Sequence, residues 1–284
     1  MVTRKFAFVF LVVFVLVFFV LWAGIVLGIR NLGGAFDYEP EEMAMGMSPL
    51  GKRLIAEAYT GLDESKIIDY HAHIVGMGEK EGQTWVNPHV LNTWNPLGII
   101  RRRIYMDAGG INSVSLADSQ YLARFLRLIR GTGHQGKYAI LGFDHHYRKD
   151  GTINERGSEF YVSNEYILDL AEKYSEHFEP VISVHPYRAD ALQELRRGAR
   201  RGAQVVKWLP NAMGIDPSDP LCIPFYDTLR VLNMTLLTHA GEEQAVASEE
   251  GQKLGNPLRV RTALDRGVKV IIAHGASRGL GEDL

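Results

Sequence analysis

Residues 66–74 read KIIDYHAHI, a short apolar run with β-branched residues that ends in two histidines one residue apart. The same texture returns in KYAILGFD (137–144), PVISVHPY (180–187), QVVKWLP (204–210), MTLLTHA (234–240) and VKVIIAHG (268–275). Each run is apolar almost without alternation, which is the pattern of a parallel strand buried on both faces. Helical periods lie between them. Leu122, Phe125, Leu126 and Ile129 make one apolar stripe, and Ile167, Leu170, Ala171 and Tyr174 make another. The segment Pro257–Arg266 reads as a helix with Asn256 as N-cap, proline at its first position and Gly267 just past its end. Strand and helix alternating in this way predict a βα-repeat architecture. A TIM barrel and a doubly wound sheet both fit, and no G-x-G-x-x-G follows the first run to favour the second.

Upstream of these runs, Phe6 to Gly28 reads FAFVFLVVFVLVFFVLWAGIVLG, 23 residues without a charge or a proline. At about 1.5 Å per residue such a helix covers the roughly 30 Å hydrocarbon core of a bilayer. The run exceeds the roughly 7–15 apolar residues of a cleavable signal, and no small-x-small site follows it, so a retained anchor is expected. Arg4 and Lys5 precede the span, whereas Arg30 is followed by Asp37, Glu39, Glu41 and Glu42. The positive-inside bias then puts the N-terminus in the cytoplasm and the remainder on the periplasmic side. The expected organisation is an anchor over 1–30, a linker and lead-in over 31–65, and a barrel domain over 66–284. In the lead-in, Leu50, Leu54, Ile55 and Ala58 form an amphipathic stretch expected to pack on the outside of the domain.

Composition narrows the partners. With 46% hydrophobic and 23% charged residues among 284, the chain is too apolar for disorder. Its 31 basic and 33 acidic residues give a net charge of -2 and no electrostatic case for nucleic acid. One cysteine, Cys222, excludes a disulfide framework and any Cys-rich metal site. The expected partners are a small-molecule substrate and the membrane, with oligomerisation left open.

All ten histidines lie after residue 70. His71 and His73 are two apart on a strand, so both side chains share one face. At the C-terminal end of a barrel strand that face is the mouth where active sites form. Two imidazoles there make half of a tetrahedral or five-coordinate metal site, and Asp69 is placed to hydrogen-bond a ligand. His239 and His274 each follow an apolar run directly, where a histidine is costly unless paired or coordinated. Any one of them is readable as a core histidine; three strands ending this way point to a metal. Lys207, embedded in VVKWLP, must find a counter-charge, lower its pKa or be modified. Pairing with Glu242 or with a substrate carboxylate, and carboxylation to a bridging anion, all stay open. His185 and Arg188 in VHPYR, Asp144, His145 and His146 in FDHHY, and Glu242 and Glu243 in THAGEE are candidates for the substrate's surroundings or for ordinary loops. Trp85, Trp94 and Arg101–Arg103 fall in a long insertion after the first run, either a lid over the mouth or packing and a solvated face.

In order and spacing, D-x-H-x-H (Asp69, His71, His73), the lysine of VKWLP, THAGEE and IIAHGAS resemble the metal-dependent amidohydrolase superfamily, in its amidohydrolase-related branch, over about residues 66–284. The resemblance implies a (β/α)8 barrel with one or two divalent ions, usually zinc. It implies His71, His73, His239 and His274 as metal ligands, and puts Lys207 where some members use a carboxylated lysine. The family's remaining ligand and general base is an aspartate at the end of the eighth strand. Ten residues follow His274, and Asp283 stands too close to the sixth run to be that aspartate. The expected fold is therefore α/β, a TIM-barrel-like (β/α)8 metal-dependent hydrolase fold lacking its last two strands, preceded by one N-terminal transmembrane helix. The expected activity is metal-dependent hydrolysis of a carbonyl, ester or amide-type bond, weak or absent without the aspartate. Lys207 and Asp69 are the expected catalytic groups, with His185, Arg188 and Glu242 around the substrate. The alternatives are decarboxylase or hydratase chemistry on the same scaffold, or an inactive membrane-anchored fragment whose strand edges a partner covers.

Overall fold

The computed structural model describes residues 2–32, 39–91, 96–243 and 249–276; Asp37, Trp94 and Asp283 lie outside them. The strands are β1 (Ile68–His73), β2 (Thr84–Val86), β3 (Lys137–Leu141), β4 (Phe160–Val162), β5 (Phe178–Ser183), β6 (Val205–Trp208), β7 (Thr235–Thr238) and β8 (Lys269–Ile272). All six apolar runs are strands, and they join in the order β1-β3-β5-β6-β7-β8 as one parallel sheet. The order follows the chain without reversal, which a doubly wound sheet does not do. The sheet is also curled. Six strands about 4.8 Å apart span roughly 24 Å when flat. Yet the rings of His71 on β1 and His274 after β8 lie 4.7 Å apart, centroid to centroid. The protein is an α/β half-barrel of TIM-barrel type.

The helices are α1 (Val2–Leu32), α2 (Pro40–Gly46), α3 (Pro49–Tyr59), α4 (Pro96–Ala108), α5 (Ala117–Thr132), α6 (Asn164–Lys173), α7 (Ala191–Arg200), α8 (Pro210–Met213), α9 (Ile223–Val231) and α10 (Arg261–Asp265). The two faces of the sheet divide the core. Ile182, Val184, Val206, Trp208 and Leu236 point outward against Leu195 of α7 and Phe225 and Leu229 of α9. Ala139, Leu141, Val181, Val205, Leu237 and Ala273 fill the inside of the curl. Alternation along each strand then carries the next inward residue of β6 and the residue after β7, Lys207 and His239, to the strand ends. Strand β1 needs a device to do the same. Its register with β3 shifts between Asp69 and Ala72, a bulge. Ile68 packs into the inner cluster while Ala72 packs outward with Leu126 and Ile129 of α5 and Ile167 of α6, so the bulge inverts the phase and turns His71 and His73 inward.

The ribbon of β2 and β4 is antiparallel, and a Phe143–Val162 bridge ties it to the chain leaving β3. At the N-terminus, α1 is long and apolar enough to cross a membrane, and Phe8–Ile25 are exposed throughout. Two sequence expectations change here. No residue of α3 is buried, and Leu50, Leu54 and Ile55 face out at 56%, 54% and 38% exposure. A contact with the domain comes at the helix's C-terminal end, where Tyr59 stacks on His134, so the stripe is left uncovered. The predicted helix Pro257–Arg266 begins as a 3-10 turn, Pro257–Val260, and becomes α-helical only in α10. Its cap is as expected, Asn256 Oδ1 accepting from Leu258 N–H at 2.9 Å.

Candidate active site

Five of the sequence candidates converge at the C-terminal ends of the strands. His71 Nε2 stands 3.1 Å from His73 Nε2 and 3.4 Å from Lys207 Nζ. The His274 ring lies 4.7 Å from that of His71 and 5.2 Å from that of His239. One ring nitrogen has a single lone pair or a single hydrogen, so His71 Nε2 cannot satisfy both of its neighbours. Nearby, His239 Nε2 is buried without a hydrogen-bond partner. His274 takes its place through a left-handed backbone, φ 58° and ψ 10°, a strained choice for a residue with a Cβ.

The electrostatics favour the neutral form of His71, His73 and His239. Burial, reinforced by the Lys207 charge, pulls His71 down to about 3. The same crowding brings His73 down to about 4, an effect that solvent weakens at this exposed position. His239 is lowered by burial, while the Glu243 carboxylate pulls it the other way. Lys207 is 3% exposed, and burial lowers it to about 8 against the pull of Glu243.

Glu243, which the sequence offered only as a candidate for the substrate's surroundings, is the carboxylate beside the cluster. Its Oε2 lies 3.7 Å from His239 Nδ1, and its charge, not that of Glu242, acts on Lys207. Of the two glutamates in the turn after β7, Glu243 is the one whose charge reaches Lys207, where the sequence had offered Glu242 as one possible partner. Spacing of four residues from His239 was the available signal.

Other candidates take different places. Asp69 is exposed, and its Oδ1 accepts from the His71 backbone N–H at 2.9 Å, bracing the bulge from the side away from the rings. His185 is fully buried, with Nε2 against Met213 O at 2.9 Å and Nδ1 against Tyr187 N at 3.1 Å. Both ring nitrogens are consumed inside the fold, so the geometry makes His185 a packing residue. His146 packs against Gly214, whose φ of 69° and absent Cβ make the room. His145 stacks on Tyr161 at 4.2 Å, with Trp85 edge-on at 5.6 Å.

Arg188 lines a cavity of about 400 Å³ beneath the β2–β4 ribbon, together with Asp144, Tyr161, Asn164, Ser183 and Glu194. Its guanidinium bonds Asp144 at 3.0 Å and Asp190 at 2.7 Å. Burial raises the Asp144 carboxyl even though Arg188 pulls it down. Tyr161, Asn164 and Glu194 come from the ribbon and from helix starts, where no motif marks them.

The donor set suits a metal in three respects. Neutral imidazole is the ligating form. A nitrogen pair 3.1 Å apart matches two ligands about 2.0–2.1 Å from one ion. The buried His239 Nε2 has no hydrogen-bond partner, and a cation on its lone pair would supply one. The rings converge without closing, however: among the described residues, no three His, Cys, Asp or Glu side chains are gathered closely enough to hold an ion as they stand.

Among solved structures, the chain is similar to an uncharacterized TIM-barrel protein from Bordetella bronchiseptica at 17% identity, with 74% of this chain and 67% of that chain covered and a TM-score of 0.48. No family model matches the chain, and no curated protein matches it.

Proposed function

We propose that the strand-end cluster is the centre of a metal-assisted hydrolase, tethered to a membrane by α1 with its domain on the periplasmic side. The observation behind this reading is the convergence of four imidazoles and one buried lysine on a single mouth, with His239 Nε2 unpartnered. His71, His73, His239 and His274 would hold one or two divalent ions, zinc by donor type, with Lys207 beside them. When bound, such an ion lowers the pKa of its water towards about 7 and polarises a scissile carbonyl.

The chain's own residues supply the rest. The Glu243 carboxylate, 3.7 Å from His239 Nδ1, favours a proton on that nitrogen by its charge, which would leave the Nε2 lone pair to the mouth. Lys207, lowered to about 8, holds a proton at Nζ that it can share near neutral pH with an oxygen of the substrate. Asp69 positions His71 by holding the bulge. Arg188, at the ribbon cavity, and Glu242, in the turn after β7, are the substrate-side groups.

The test is turnover of an ester and amide panel by the full chain in detergent, with and without chelator. Chelator-sensitive hydrolysis that falls at least tenfold in Lys207→Ala supports the proposal. Carbon dioxide release from acid substrates would move it to a lyase. Turnover indifferent to both chelator and Lys207→Ala would refute it.

A further inference from the structure

Arg101, Arg102 and Arg103 follow one another in α4, with Asp107 as the helix's one carboxylate. Contacts sort the helix into sides. Arg102 Nη1 donates to Val90 O at 3.1 Å, and Met106 is buried with Ile111 and Ala117, so these two face the domain. Ile99 and Arg103 share one flank at i, i+4 spacing. Arg101 and Tyr105 share the other, the guanidinium 5.7 Å from the ring centroid and Tyr105 54% exposed. The two flanks therefore present exposed guanidinium groups beside an aromatic and an aliphatic side chain, that of Arg103 reaching Asp107 at 3.0 Å through Nε while staying 56% exposed.

Helix α4 packs against α1. Phe8–Ile25 of α1 are exposed along their whole length, so the contact falls outside that stretch; α2, which follows α1 in the chain, packs on α5 of the domain, which puts the contact at the C-terminal end of α1. There the apolar run gives way to Arg30. A segment that touches the end of a membrane span lies at the depth of the lipid headgroups. Tyrosine and arginine are the residues enriched or stabilised at that depth, the first by its amphipathic ring and the second by anionic lipid.

We infer that α4 lies on the bilayer that α1 spans and binds its anionic phospholipid headgroups through Arg101 and Arg103, with Tyr105 and Ile99 at the apolar boundary; this rests on α1 being inserted. The cluster of Met106, Ile111 and Ala117 also packs Val75 and Met77, which follow His73. Docking α4 therefore holds β1, and with it the mouth, at a fixed height over the membrane.

The test reconstitutes the full chain in phosphatidylcholine vesicles with and without phosphatidylglycerol. Because Cys222 is buried, single fluorophores attach at Val15→Cys, Tyr105→Cys or Val231→Cys, the last 76% exposed on α9 as a remote reference. Lipids carrying quenchers in the acyl chain or the headgroup report depth. The expected result is acyl-chain quenching at 15, and headgroup quenching at 105 several-fold above that at 231 and rising with phosphatidylglycerol. Arg101→Gln and Arg103→Gln should each weaken the phosphatidylglycerol-dependent docking about fivefold. Quenching at 15 with equal signals at 105 and 231 would overturn the docking of α4 while leaving the anchor intact. Quenching at 105 that ignores both phosphatidylglycerol and the arginines would overturn the headgroup assignment. No quenching at 15 would remove the span and the docking together.

Discussion

Protonating His185 should unfold this protein rather than switch a site. Its ring has one hydrogen to give and one lone pair to offer: Nε2–H donates to Met213 O at 2.9 Å, and Nδ1 accepts from Tyr187 N–H at 3.1 Å. A second ring proton on Nδ1 would oppose the Tyr187 N–H donor directly. Burial accordingly lowers His185 from 6.5 to about 3. The folded pKa is depressed, so the unfolded chain takes the proton first and stability falls as pH drops below 6.5. From pH 7 to pH 5 the loss spans about 1.5 pH units, or about 2 kcal/mol at 1.36 kcal/mol per unit. The assay is urea denaturation of the full chain at both pH values, compared with His185→Gln, whose amide can still donate to Met213 O. The variant starts less stable at pH 7 but should lose about 2 kcal/mol less on acidification. An equal pH slope in both proteins would show that His185 accepts its proton in the fold, and the buried-tautomer argument would be wrong.

Other expectations test the scaffold. Trp208 is fully buried against Phe225 and Tyr226 and donates Nε1–H to Val184 O at 2.8 Å, so Trp208→Ala should destabilise by about 3–5 kcal/mol in denaturant titration. A Cβ on Gly251 would stand 2.0 Å from the Asn211 carbonyl oxygen. Gly251→Ala should therefore pry the 249–255 segment from α8 and cost about 1–3 kcal/mol, seen as a lower melting temperature. Deleting residues 2–32 should move the protein from the carbonate-resistant membrane pellet to the soluble fraction; persistence in the pellet would contradict an anchoring role for α1.

Much of the fold was legible because a strand buried on both faces has almost no polar positions to confuse its reading. PVISVHPY shows where that legibility stops: β5 covers Phe178–Ser183, and the apolar residues beyond it belong to a loop folded inward. The β2–β4 ribbon was invisible, since each strand has three residues and their register joins Thr84 to Val162 across long range. In the site, His71, His73, His239, His274 and Lys207 were readable from their strand-end positions. His185 holds an equivalent position in its run, yet α8 brings Met213 over it and removes it from the mouth. Local sequence does not encode which strand end a later helix covers. The choice between Glu242 and Glu243 turned on one residue of a turn, where no periodicity fixes direction. The bulge in β1 was equally hidden, although it is what lets Ile68 and His71 face the same interior.

The central claim is that the strand-end imidazoles hold a metal, and zinc binding by the full chain in detergent tests it most directly. Calorimetric titration of chelator-stripped protein should show one or two equivalents bound, with affinity lost at least tenfold in His71→Ala and in His239→Ala and unchanged in His185→Gln, which lies outside the cluster. Zinc that does not bind, or that binds equally to the wild type and to both alanine variants, would contradict the account.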